Sequence, residues 1–408
     1  LQMLVTSLEY SDYVGRVAIG KVFAGRMTQG QPVTVIDKQG NQTQQKIVQL
    51  YEYERIGKKR AEEVLAGDIC AVAGLEPVDI GDTIACPDQP IALPIVAIDE
   101  PTMSMTFNVN NGPFAGQDGK YVTSLQLRDR LDKELQTNVA LRVASGRTAD
   151  EFVVSGRGLM HLGILLENMR REGYEVCVGK PQVIVRMIDG VRQEPIERLV
   201  IECPVDCQNA VMSLIGTRRS EMLKMDSKSG ASNYVHMEFM IPSRGLFGLN
   251  ARVLTATQGR AIMHHTFEQY EPMRGSIPDR QAGVLIASET GVVTAYALDA
   301  LYERGFFFVK PGDRVYEGQV VGEHCKDNDV VVNATRAKQM SNMRTTAKDD
   351  AARIRPARIM SLEAYLEYVQ FDELVEICPN SIRLRKRLLQ EGQRRRAARL
   401  GVDAVLKQ

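Results

Sequence analysis

The chain has 408 residues, 44% of them hydrophobic and 25% charged, with 33 Gly and 16 Pro spread along it, which fits a folded protein of several domains and excludes a low-complexity chain. Lys plus Arg and Asp plus Glu both number 51, so net charge gives no general attraction to nucleic acid or to an acidic surface, and such a role must come from local asymmetry. No apolar run approaches the roughly 18 residues of a membrane span, no signal-like start is present, and seven cysteines without a C-x-x-C pair read as free thiols in a reducing, cytoplasmic compartment rather than as a zinc site.

The first residues, "LQMLVTSLEY", enter strand-like alternation at once, which reads as a cut between domains. Residues 1–94 alternate short β-rich runs with glycine punctuation, as in "VGRVAIGKVFAGRMTQGQPVTVID" and "LAGDICAVAGL", a spacing that predicts a small closed antiparallel barrel. Over residues 95–190 the period changes. "TMSMTFNVN" reads as a strand and "KYVTSLQLRDRLDKELQ" as a helix with Leu127, Leu131 and Leu135 on one face. "NVALRV" and "DEFVVS" follow as strands, then the helix "GLMHLGILLENMRRE" with Gly173 as its stop, then the strand "YEVCV". This β-α-β-β-α-β order is the ferredoxin-like split unit, and residues 191–273 repeat it from "IERLVIECPV" to "RAIMHHTFEQYE". Residues 274–408 turn β-rich again, with a tight turn at Pro311-Gly312-Asp313, a long polar and basic loop, a helix capped by Ser361, and a basic terminal helix over 381–400 interrupted at Gly392. The predicted fold is therefore multidomain, mostly β and α+β.

Little here resembles an active site. There is no G-x-x-x-x-G-K-[ST], G-x-S-x-G or H-E-x-x-H, and the five histidines do not assemble. "VVSGRGLMHLG" invites a phosphate-cradle reading, but the third glycine of a dinucleotide fingerprint is out of register. Arg157-Gly158-Leu159 recurs as Arg244-Gly245-Leu246 in the second split unit, as a structural turn would. The asymmetry lies toward the C-terminus. Arg336, Lys338, Arg344, Lys348, Arg353, Arg355 and Arg358 face only Asp349 and Asp350, and Arg383, Arg385, Lys386, Arg387, Arg394, Arg395, Arg396 and Arg399 face only Glu391. Arginine's planar fork suits bidentate phosphate contacts, so these segments predict an RNA-facing surface. No aromatic residue is interleaved with them, which favours backbone and shape recognition over base stacking. A protein-binding scaffold without RNA contact is the rival reading.

The order of modules, with "GRVAIGKVFAGRMTQGQPV", "NGPFAGQDGKYVTS", "RDRLDKELQTNVALRV", "ENMRREGYE", "IPSRGL", "VYEGQVVGEH" and "DELVEICPNSIRLRKR", resembles the BipA/TypA family of ribosome-associated translational GTPases. The resemblance implies a barrel like elongation factor G domain II, split units like its domains III and V, and a family-specific C-terminal domain. It also implies a fragment without its G domain: no enzyme by itself and no cofactor in this chain, with GTP and Mg2+ bound only in the absent domain. The implied partners are the ribosome, its ribosomal RNA and A-site tRNA, met by a monomer without a membrane, in translation regulation or ribosome assembly under stress. Carried over to this chain, contact near the acceptor end of that tRNA falls on the stretch from Arg336 to Arg358, first on Lys338, Asn342, Arg344 and Lys348. Gly112 stands where the family pattern has a serine.

Overall fold

The computed structural model describes residues 1–11, 13–54, 57–94, 100–227, 233–277, 280–337 and 355–400. The chain divides into two compact units, one made of Leu1–Pro101, Leu125–Ala144 and Ser155–Arg157, the other of Thr102–Ser124, Ser145–Val154 and Gly158–Gln408.

In the first unit eight antiparallel strands run in the order Gln42–Lys46, Pro32–Ile36, Thr83–Ala85, Gln2–Ser11, Gly15–Ala24, Ile69–Ala73, Gln49–Glu54, Gly57–Arg60, and a separate ladder joins Arg26–Thr28 to Glu63–Leu65. Alternation supplies the core: Met3, Val5, Ala18, Val22, Val33, Val35, Val72 and Ile84 point into one apolar cluster. The expected barrel does not close among the described residues. The two outer strands, "QTQQK" and "GKKR", are polar and almost wholly exposed, so no apolar side chain draws them together and both remain charged or amide-bearing edges.

Several elements of the first split motif appear in the second unit where periodicity places them, while its first helix, Ser124–Thr137, falls in the first unit from Leu125 onward. Strands Glu151–Gly156, Met103–Val109 and Val176–Val178 lie side by side in that order, as the third, first and fourth strands of a βαββαβ unit do. Helix Leu159–Glu172 buries Leu162, Leu165, Leu166 and Met169, and Gly173, at φ 99°, ends it with its N–H donating to the carbonyl of Arg170. The second copy is complete: its sheet runs Ile262–Pro272, Val191–Pro204, Tyr234–Pro242, Glu221–Ser227, and helices Gln208–Gly216 and Leu249–Ala256 share a core with Leu199, Ile201, Met237 and Phe239.

The two R-G-L turns are not equivalent. The helix after Gly158 begins at once, whereas Ser243–Leu246 is a 3-10 turn and the helix waits until Leu249. Ser243 donates its hydroxyl to the carbonyl of Pro195, and Arg244 clasps the buried Glu194 at 2.5 and 3.1 Å, which pins the turn down.

Strand Glu373–Ile377 then pairs with Val176–Val178, in the register Val176↔Ile377, Cys177↔Glu376, Val178↔Val375. The sheet continues through Ile382–Lys386, Gln319–His324, Val284–Ala287 and Val330–Val332, so one set of backbone hydrogen bonds runs from the split motif into the C-terminal region. The basic helix expected over 381–400 is corrected here: Ile382–Lys386 is a strand, and only Glu391–Arg399 is helical. Residues 373–377 and 382–386 form a hairpin whose apolar face packs inward, and that burial overrides the helix propensity of Arg, Leu and Lys.

Candidate nucleic-acid interface

The fold sorts the basic residues into two populations. Arg383, Arg385 and Lys386, which the sequence offered as RNA contacts, are turned inward and neutralised, and the reason is the hairpin register. Glu373 stands opposite Lys386, and Glu376 opposite Arg383. Lys386, 2% exposed, sets its Nζ 2.6 Å from Asp329, 2.6 Å from Asp372 and 3.1 Å from Glu373. Arg280 grips the same Glu373 at 2.8 and 3.0 Å. Burial pushes the Glu373 carboxyl up, but Lys386 and Arg280 outweigh it and hold the group below its ordinary value.

A second cluster lies one step along the sheet. Arg385 Nε is 3.1 Å and Arg383 3.8 Å from the buried Glu376, Arg383 also reaches Asp118 at 3.5 Å, and Arg385 donates to Asn111. Burial dominates at Glu376 and raises its carboxyl above the ordinary range despite both guanidinium groups. Gly112 belongs to this cluster: a Cβ there would collide with the Glu376 carboxylate, so a serine could not occupy the position without moving it. Glu175, likewise buried, accepts from the backbone N–H groups of Gly116, Asp118 and Gly119 and from the side chain of Asn110, fixing the loop that carries Asp118.

Arg387 and Arg394 are half-buried, and burial lowers the affinity of both for their protons. Arg394 donates to the carbonyls of Leu388 and Leu389 and so closes the turn into the terminal helix. These two are also poor candidates for outward contact.

The other population faces water. Arg336 is exposed, its carbonyl held at 2.5 Å by the Thr294 hydroxyl, which also caps helix Ala295–Ala300. Arg358 is 55% exposed, 3.5 Å from Glu323. On the terminal helix Arg395 forms an exposed i,i+4 pair with Glu391, worth a few tenths of a kcal/mol at most (~0.3–0.5). Arg396 and Arg399 are exposed and have no ion pair among the described residues. Lys338, Asn342, Arg344, Lys348 and Arg353 lie outside the described residues.

Arg355 was expected to serve as a phosphate contact. It is half-buried, and its guanidinium lies 4.1 Å from the ring centre of Tyr302 and 5.1 Å from that of Phe306. No aromatic interrupts the basic run in sequence, because Tyr302 and Phe306 stand well upstream of it, on the 3-10 turn and strand beside which the basic chain returns. The "YERGFFF" run was the available signal.

Residues 1–86 match elongation factor G domain 2, residues 191–281 the elongation factor G C-terminus and residues 282–391 the TypA/BipA C-terminal domain. The modules and their order define a protein of the translation-factor class. A large ribosomal subunit assembly factor BipA from Bacillus subtilis is 46% identical, over 98% of this chain and 65% of that protein; one from Synechocystis sp. is 46% identical over 95% and 64%, and one from Salmonella typhimurium 44% over 98% and 66%. The chain belongs to the BipA/TypA family. It spans about 65% of the length of the curated relatives it matches. A solved crystal structure from Thermus thermophilus is similar to 67% of this chain and 55% of its own at TM-score 0.43 and 15% identity.

The expectation of a non-enzymatic fragment cut free of a G domain is corrected by these matches. They run over 98% of the chain and 65% of the Bacillus subtilis protein, shares that establish neither a severed domain nor a lack of activity.

Proposed function

We propose that this chain works on the ribosome, in large-subunit assembly and in translation under stress, by laying the exposed cations of its C-terminal region against ribosomal RNA near the acceptor end of A-site tRNA. The matched relatives carry the name of large ribosomal subunit assembly factors, which supports the ribosomal setting. Residues 1–94, 95–190, 191–273 and 274–408 act as four modules in this reading, with the last carrying the contacts.

The observation that carries it is the sorting of charge. Buried carboxylates consume Arg383, Arg385 and Lys386, while Arg336, Arg358, Arg395, Arg396 and Arg399 stay at the surface. Phosphates condense counterions, and each arginine that replaces one makes affinity fall steeply with salt. The inner cations build the scaffold; the outer ones face solvent, Arg358 and Arg395 each beside one surface carboxylate.

GTP and Mg2+ are the cofactors that the family reading implies. Gly158, at the turn the sequence offers as a phosphate cradle, opens its helix with extended backbone and no capping side chain. Among the described residues no helix is long and apolar enough to cross a membrane.

Co-sedimentation with ribosomes across a salt series tests the reading. Arg395, Arg396 and Arg399 replaced together by Glu should flatten the salt slope and lower binding about tenfold or more, since each lost phosphate contact removes close to one unit of slope. An unchanged slope with the fold intact, or a complex that resists nuclease and persists without RNA, would instead favour the protein-binding scaffold.

A further inference from the structure

The Arg355 cluster does more than fasten the chain. Strand Gly305–Phe307 pairs with Gln319–His324, and on its other edge the Arg358 N–H donates to the Phe307 carbonyl at 2.8 Å. Arg355 is thereby brought back across the 3-10 turn Tyr302–Arg304, where it lies against Tyr302 and Phe306 at once. Phe306 is 54% exposed, although its contact with Arg355 already covers part of the ring. Two residues on, Phe308 stacks edge-on to Tyr368 at 5.5 Å, and Tyr368 carries Arg280 at 4.4 Å, whose N–H groups are locked to the buried Glu373. Two aromatic–guanidinium groups thus flank this strand, one tied to the buried Glu373 through Arg280 and one at the surface around Arg355.

A large exposed phenylalanine held beside an arginine plane loses little by meeting another flat group, because both surfaces are already ordered. Arg304 and Arg358, both exposed, supply positive charge around it, against two carboxylates, Glu303 on the same turn and Glu323, which already pairs with Arg358. The ligand with a flat aromatic face and an anionic tether is an unpaired nucleotide in a single strand.

We propose that Tyr302, Phe306 and Arg355 form a stacking platform for an unpaired base of single-stranded RNA. This rests on the RNA-binding reading above and adds to it a base-contacting site, where that reading invokes phosphates alone. Stacking is indifferent to base identity but requires a base, which separates it from backbone attraction.

Fluorescence anisotropy of the full chain with a labelled oligo(A) RNA and an abasic RNA of equal length, at one salt concentration, tests it. The oligo(A) strand should bind roughly tenfold more tightly, the size of one good base–aromatic stack. The Tyr302→Leu, Phe306→Leu double variant should lose that preference while keeping the abasic affinity, and Phe306→Tyr should retain it. Arg355→Lys keeps the charge, loses the plane and should fall between. Equal affinity for the two RNAs, absent binding of both at low salt, or a preference that survives in the double variant overturns the platform; melting curves establish that the variants fold. The double variant's ribosome co-sedimentation separates this failure from that of the earlier reading. A persistent steep salt slope leaves phosphate docking standing, whereas no ribosome binding even by the unmodified chain defeats the earlier reading itself.

Discussion

Lys386→Met puts the inner charge cluster to a quantitative test. The native cluster holds Lys386 and Arg280 against Asp329, Asp372 and Glu373, and the substitution removes one positive charge from a site already rich in carboxylate. Stripping one partner from a buried pair costs about 3–5 kcal/mol. The lower end applies, because Arg280 still holds Glu373 at 2.8 Å and because Asp329 and Asp372, 38% and 45% exposed, can turn to water. A loss of about 3 kcal/mol is therefore expected at pH 7. With two compact units, one global midpoint is not a clean measure, so hydrogen exchange of the amides in Ile382–Lys386 is the better assay.

The pH dependence gives the sign. Glu373 is held below its ordinary value of 4.5, so its contribution is present above that value and lost as pH falls through its folded pKa. Burial alone would lower Lys386, but the three carboxylates raise it above 10.5, so its contribution is present below that value and lost only as pH rises through its folded pKa. The cluster is fully stabilising between these limits, and acidification should shrink the penalty of the substitution. A penalty under about 1 kcal/mol at pH 7, or one that grows toward acid, would refute the reasoning.

Gly318 has φ 86°, and a Cβ there would sit 2.6 Å from the Leu389 backbone, so Gly318→Ala should cost more than about 2 kcal/mol and lower the melting temperature of the second unit in calorimetry. The Glu197 carboxylate, 2.6 Å from His265 Nδ1, raises that imidazole above its ordinary 6.5. Its stabilising contribution is therefore present below about pH 6.5 and lost as pH rises through the folded pKa. NMR titration should show a high midpoint that Glu197→Gln brings down, and an unchanged midpoint would remove the ion pair from the account.

Long periodic elements were readable from sequence because their signal is local. The leucines of Leu159–Glu172 and the glycine after it define that helix without help from elsewhere, and Ser361 accepts from the Ala364 N–H as its position suggests. Charge was misread because pairing is not local. Asp118 lies far upstream of Arg383 and Asp329 well before Lys386, so a tally of neighbours along the chain sees free cations where the fold has paired ones. One local clue did exist. In "DELVEICPNSIRLRKR", Glu373 and Lys386, and Glu376 and Arg383, stand at mirror positions about the Pro-Asn-Ser turn, which is the cross-strand pattern of a charged hairpin. The expected barrel failed to close for a related reason: glycine spacing reports turns, whereas closure depends on side chains at the two outer strands, and those are polar.

The pairing of Val176–Val178 with Glu373–Ile377 has a consequence for biogenesis. A ribosome making this chain releases the earlier strand with one flank bare, and the segment that shields it emerges only after the whole intervening stretch has been made. During that interval the unprotected valines can zip onto a neighbouring nascent molecule. Slower elongation across the intervening stretch would lengthen this vulnerable period, so the yield of properly folded protein should depend on translation speed there more than on the stability of the finished product.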